Sequence, residues 1–435
     1  MHFTFHMRLA STATWVFLFF AISLQAADGS KVFDVHQFGA KGDGRTLDTA
    51  AIQKALEACG RAGGATVKFS PGIYLSQPIT IRTKTTMLLE AGATLLASPT
   101  QSDFLKGGGD FIPFISGKDL TDVTFTGKGT IDGNGAVWWE EAEKARQKVS
   151  GYTLPRPNLI VLTRCKNVRL ENLTVQNSPK FHFVPTDCEG VVVSNVTILA
   201  PEHAANTDAI DPSACKNVLI TKCRIDVGDD NVAIKAGKKV AGREFASEDI
   251  TVTDCTFLHG HGMSIGSETA GGVRNVTVKN CTFENTENGI RIKSQRGKGG
   301  IVENISYSDL TMKNVDPAIT FTCYYMNNSA KDAVRSSPPK ETSAPSAGEK
   351  IPVYRNIRVT NLKATCQKSA GVILGLPNSC ISNVVFENVI LSANTGLTIH
   401  NAKGIQFKNS SVTVKSGPAF SAENAEIEGL ENPQK

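Results

Sequence analysis

Four short motifs carry the residues that could do chemistry: Asn206-Thr207-Asp208, Gly228-Asp229-Asp230, Gly260-His261-Gly262 and Arg291-Ile292-Lys293. Gathered in one place, their carboxylates suit acid–base hydrolysis, because neighbouring like charges push pKa values apart so that one carboxyl stays protonated while another ionises. An imidazole beside them can orient a carboxyl. An Arg–Lys pair binds an anion, Arg through a fork and Lys as a point charge. Taken singly, each motif has an ordinary explanation as a turn, since Asp, Asn and Gly cap turns everywhere. Convergence is what would make them a site.

The elements that must converge them are legible as a repeat. Asn167–Val175, Gly190–Ile198, Asn217–Ile225, Asp249–Phe257 and Asn275–Phe283 are copies of one pattern, with further copies from Asn304, Asn356, Asn383 and Gly404 and a degenerate one from Asp122. Each is a strand with period-2 apolar spacing, an Asn or Asp turn, and a second short strand. Such a unit cannot bury its own apolar face, whereas stacked copies share a core and pair every backbone group with the coil above or below. The expected fold is all-β: a right-handed, single-stranded parallel β-helix. Asn172, Asn195, Asp254, Asn280, Asp309, Asn361, Asn388 and Asn409 recur at one turn position and predict an internal side-chain ladder at a corner. Cys223, Cys255 and Cys281 follow at the next position and read as small apolar core residues.

A second series, Ile210, Ile234, Ile265, Ile292 and Ile319, sets the expected register of the motifs. Asp208 lies two residues before its isoleucine, Asp230 and His261 four before and Asp229 five before. That register puts Asp208 and Asp230 on adjacent coils, offset by two residues, with a backbone separation on the order of 8 Å. Pure alternation turns Asp229 away from Asp230, so the pair needs a bend at Gly228.

The rest of the chain narrows the class. Residues 1–26 have a basic start, a short apolar run from Trp15 and small residues at Ala26 and Ala27, the pattern of an export signal. Residues 27–435 then form one catalytic β-helix in a secreted protein. The net charge of +5 is too mild to argue for nucleic acid, and no later segment reaches membrane length. The ten cysteines contain no C-x-x-C pair, so metal and redox motifs are not expected. Ala51, Ile52, Ala55, Leu56 and Cys59 have helical spacing and predict a short N-terminal cap. Residues 327–350, rich in Ser, Pro and Lys, predict an exposed loop.

In order and spacing, the four motifs resemble the signature of the polygalacturonases, glycoside hydrolase family 28, and of its bacterial members in particular. The likeness extends through Phe38–Gly44, Gly133–Trp139 and Asn177-Ser178-Pro179; Ala209 departs from the glycine many relatives carry. The resemblance implies inverting hydrolysis of the α-1,4 bonds of polygalacturonan. Asp229 would be the general acid, Asp208 with Asp230 would activate water, and His261 would orient them. Arg291 and Lys293 would bind a sugar carboxylate, with Asn206 and Tyr325 as further substrate contacts and Tyr324 beside them. It implies no metal, no organic cofactor and a monomer whose partner is an acidic polysaccharide. Alternatives are a branched pectin as substrate, a calcium-dependent lyase that would give an ultraviolet-absorbing product, or a β-helix that binds carbohydrate without cleaving it.

Overall fold

The computed structural model describes residues 31–107, 110–148, 154–237, 245–325 and 350–430. More than half of them belong to strands, nearly all of which pair in parallel with a neighbouring coil, giving a right-handed parallel β-helix as expected. Three ladders run along it. One carries Val193, Ile220, Val252, Val278 and Tyr307 in a single buried register. Alternation explains it: along Ala65–Phe69 every second residue is buried. Each such Val, Ile or Phe contributes roughly 1.5–3 kcal/mol by leaving water, and Phe257 and Phe283 stack within the core with centroids 4.8 Å apart.

The Asn/Asp series forms the expected ladder, on the other side of the wall. These residues lie at φ between 46° and 60°, the left-handed region Asn and Asp tolerate. Their amides pass hydrogen bonds from coil to coil: Asn195 to Asn172 at 2.9 Å, Asn361 to Asp309 at 2.8 Å, Asn388 to Asn361 at 3.0 Å and Asn409 to Asn388 at 2.7 Å. The ladder is exposed, not internal. The left-handed turn points its own side chain outward and hands the inward position to the next residue: Leu173, Val196, Cys255 or Cys281. Lys222 stands in the series at φ 55° without an amide to pass on, and the chain of bonds breaks there.

Cys223, Cys255 and Cys281 are buried core residues, as their position predicts. Their thiols donate to the carbonyls two residues earlier, Thr221 and Thr253 at 3.3 Å and Lys279 at 3.2 Å. The first α-helix, α1 (Thr49–Arg61), buries Ala51, Ile52, Ala55, Leu56 and Cys59 against the first coils, the face its spacing predicts. A second helix, α2 (Ala136–Lys148), was not legible; Trp138 anchors it edge-on to Phe104 and Phe111. The segment read as an export signal and nearly all of the 327–350 insertion lie outside the described residues.

Cysteine placement generates a direct expectation. A thiol reagent should label at most Cys366 and Cys380 in the native protein, because the other eight are buried, and all ten after denaturation. A denatured count well below ten would show disulfides in place of core thiols.

Candidate active site

The third ladder builds the site, with a register that differs from the isoleucine series. Phe183 pairs with Ile210, Ile210 with Val232, Val232 with Met263, Met263 with Ile290 and Ile290 with Ile319. Ile234, Ile265 and Ile292 form a parallel row that continues to Phe321. The discrepancy is a slip of two residues. Because side chains alternate with period two, an even slip leaves every residue on its own face and the apolar pattern cannot detect it. Asp208, Asp230 and His261 therefore each stand two residues before their ladder member, in one row on successive coils. The expected 8 Å offset is replaced by the spacing of neighbouring strands, about 4.8 Å.

The bend that Asp229 requires is present at Gly228 and Asp229. Only glycine fits the first position, since a Cβ there would lie 2.5 Å from the Ala204 carbonyl oxygen. Asp229 is then held by backbone donors: the Asp230 amide reaches Oδ1 at 2.9 Å and the Asn206 amide reaches Oδ2 at 3.2 Å. The Asn206 side chain approaches the same oxygen at 3.5 Å and accepts from Arg156 at 2.8 Å.

Charge organises the site into two linked halves. Asp230 is buried; Lys293 Nζ lies 2.8 Å from its Oδ2, while Ser264 Oγ at 2.8 Å and the Arg291 guanidinium share Oδ1. Burial alone would raise its pKa, but the two cations prevail and hold it at about 2. His261 bridges outward: Nδ1 lies 3.1 Å from Asp229 Oδ1 and 3.8 Å from Asp230 Oδ1, and Nε2 lies 3.0 Å from Glu287 Oε2. Burial would depress this imidazole, yet Asp229 and Glu287 lift it to about 10. Asp229 is correspondingly held below its ordinary range, His261 outweighing burial. The opposed shifts favour the imidazole over the carboxylate as the seat of a proton.

Asp208 behaves oppositely. Burial first, then Asp211 and Asp229, push its pKa well up, and Lys235 at 3.3 Å from Oδ2 offsets only part of this. Asp211, ion-paired to the same lysine, is raised to about 6 by burial. Asp208 Oδ1 is buried with no hydrogen-bond partner among the described residues. His182, fully buried and pushed down to about 4 by burial, faces the Asp208 carbonyl through Nδ1 at 3.1 Å and so fixes the backbone beneath the carboxyl. The donor atoms of Asp229, Asp230 and His261 lie within 4.8 Å of one another. That spacing could suit a cation, but both Asp230 oxygens are already engaged and the imidazole is itself cationic.

All of this opens into a cleft of about 1420 Å³ that runs along the helix from Phe181 past the cluster to Pro418 and Ser421. Tyr325 lines it, its ring centroid 5.0 Å from Lys293 Nζ. The structure thus brings together Asp208, Asp229, Asp230, His261, Arg291, Lys293, Asn206 and Tyr325. Sequence reasoning missed Lys235, Asp211, Ser264, Glu287 and Arg156. Two of these had a signal: Lys235 and Lys293 each follow a member of the Ile234–Ile265–Ile292 row, two coils apart, and Ser264 pairs directly with Arg291.

A family model described as glycosyl hydrolases family 28 matches residues 75–415. The chain belongs to glycosyl hydrolase family 28. This family 28 hydrolase is 39% identical over 306 residues to an endo-polygalacturonase of Pectobacterium carotovorum subsp. carotovorum, covering 66% of this chain and 74% of that one. The polygalacturonase structure from Erwinia carotovora ssp. carotovora superposes with a TM-score of 0.69 at 30% identity, over 88% of this chain and 94% of that one. The hyperthermoactive exopolygalacturonase of Thermotoga maritima gives a TM-score of 0.70 at 28% identity, over 92% of each chain.

Two stability measurements test the hydrolase's charge network. Asp230→Asn removes the carboxylate from between Arg291 and Lys293 and should cost roughly 3–5 kcal/mol in urea unfolding at neutral pH; an unchanged midpoint would refute the network. The folded-state pKa of His261 is raised, so its contribution is fully present below about pH 6.5 and is lost as pH rises through about 10. His261→Asn should remove that part of the decline in stability between the two values.

Proposed function

We propose that this family 28 hydrolase cleaves α-1,4 bonds between galacturonate units of pectic homogalacturonan, by single displacement with inversion and without a metal. The observation that carries the reading is the trio of Asp230 and Lys293, which line the cleft, and Arg291, buried against Asp230. Two cations against one carboxylate leave a net positive charge beside the cluster, which a sugar carboxylate completes and a neutral sugar does not. The relatives' names point to the same substrate. The export pattern in residues 1–26 supports secretion, where the polysaccharide is met.

Asp229 is the acid. In the open cleft its shared proton rests on His261, 3.1 Å away. A sugar seated over the pair excludes water, and a dry setting favours the neutral Asp–His form over the ion pair. The proton then passes from Asp229 to the leaving oxygen. Asp208 and Asp230 hold the water that attacks the far face of the sugar, and Asp208 Oδ1, free of hydrogen bonds within the described residues, takes its proton. The raised pKa of Asp208 makes it the stronger base once ionised. That same shift favours a second reading, in which Asp208 itself carries the proton as acid.

Polygalacturonic acid with EDTA should yield reducing ends without ultraviolet-absorbing product, the β-anomer appearing first by NMR, and Asp229→Asn should lose at least about a hundredfold in kcat. Product sizes separate internal from terminal cleavage. Chelator-sensitive, absorbing product would establish a lyase, and no product would move attention to branched pectin or to binding alone. An activated galacturonide whose leaving group needs no proton decides between the two acids: the variant of the true acid, Asp229→Asn or Asp208→Asn, keeps most of its activity on it.

A further inference from the structure

We propose that Glu287 is the positioning residue for the catalytic acid: its carboxylate against His261 Nε2 holds the imidazole in its charged form with the opposite ring nitrogen beside Asp229. The inference rests on Asp229 being the acid. Its geometry is a line of contacts from solvent into the site. The Glu287 side chain is 63% exposed at the cleft wall, that of His261 is 12% exposed and that of Asp229 is 18% exposed. Glu287 Oε2 and His261 Nε2 are 3.0 Å apart, and His261 Nδ1 and Asp229 Oδ1 are 3.1 Å apart. Glu287 is held in place from behind, since its backbone amide donates to the Gly260 carbonyl at 2.7 Å and ties its turn to the one that carries His261.

The chemistry of the cycle needs the imidazole held in that orientation. In each turnover Asp229 loses a proton to the leaving oxygen, while the base takes one from water. Before the next turnover Asp229 must be reloaded. The imidazolium does this without rotating: Nδ1–H passes its proton to Asp229, the neutral ring keeps Nε2–H against the Glu287 carboxylate, and Nδ1 regains a proton from water that re-enters the cleft when product leaves. The charged groups around His261 agree with the assignment. Asp229 and Asp230 approach from the preceding coil, Glu287 and Arg291 from the following one; the carboxylates hold the extra proton and Arg291 opposes it.

The test uses the full-length enzyme and Glu287→Gln, whose amide oxygen can still accept from Nε2–H but carries no charge. We expect kcat to fall about tenfold with KM changed less than about twofold, and the alkaline limb of the kcat–pH profile to move about one unit lower. Glu287→Asp should restore much of both. In parallel, NMR titration of His261 should show a lower imidazole pKa in Glu287→Gln than in the parent, a readout that needs no substrate. Parental kcat and pH profile in Glu287→Gln, or a rise in KM alone, would overturn the proposal and leave Glu287 a sugar contact. If the parent itself fails to cleave polygalacturonate, the substrate reading falls, and an unmoved His261 titration would sink this proposal separately. Thermal melting identifies a variant that does not fold, in which case Glu287→Asp carries the test.

Discussion

The site depends on backbone hydrogen bonds between coils. Ile210, Val232, Met263 and Ile290 are locked in one row by the parallel ladder, and the groups standing before them acquire their distances from that row and not from their own loops. A carboxylate on a free loop would move away from its neighbours; here Asp208 and Asp230 are set a strand spacing apart by the same bonds that close the core. The fold therefore imposes the like-charge proximity that separates their pKa values.

Imposed proximity has to be compensated, and the compensation explains which cations are where. Asp230 is satisfied by Arg291, Lys293 and Ser264 and stays ionised, whereas Lys235 is divided between Asp208 and Asp211 and leaves both raised. Asp229 draws chiefly on His261, with Lys293 and Arg291 acting from further off. Three carboxyls of identical chemistry thus end with three different affinities for a proton, set by burial and by how many cations each must share.

The sequence revealed much of this architecture, and its failures have one cause. Repeats, the turn ladder, the core cysteines and the buried face of α1 are all written in local periodicity, which the eye can count. The pairing of Ile210 with Val232 instead of Ile234 is not local: it depends on how much chain each loop consumes, and an even slip costs the pattern nothing. The same blindness hid Glu287, an exposed acid in a turn, and Lys235, whose meaning appears only once its contacts with Asp208 and Asp211 are seen. The outward position of the Asn ladder was missed because the left-handed backbone at those residues reverses the side that simple alternation assigns.

Quasi-one-dimensional stacking also separates two properties that most enzymes inherit together. Each coil touches only its neighbours, so the cleft beyond Ile319 can gain or lose a coil through duplication or deletion of one repeat without disturbing the row that holds Asp208, Asp230 and His261. Each such event alters the cleft by about 4.8 Å. In evolutionary terms, the length of polymer gripped is an inherited quantity that varies in whole steps, while the reaction itself is conserved by the register of the few coils that hold it.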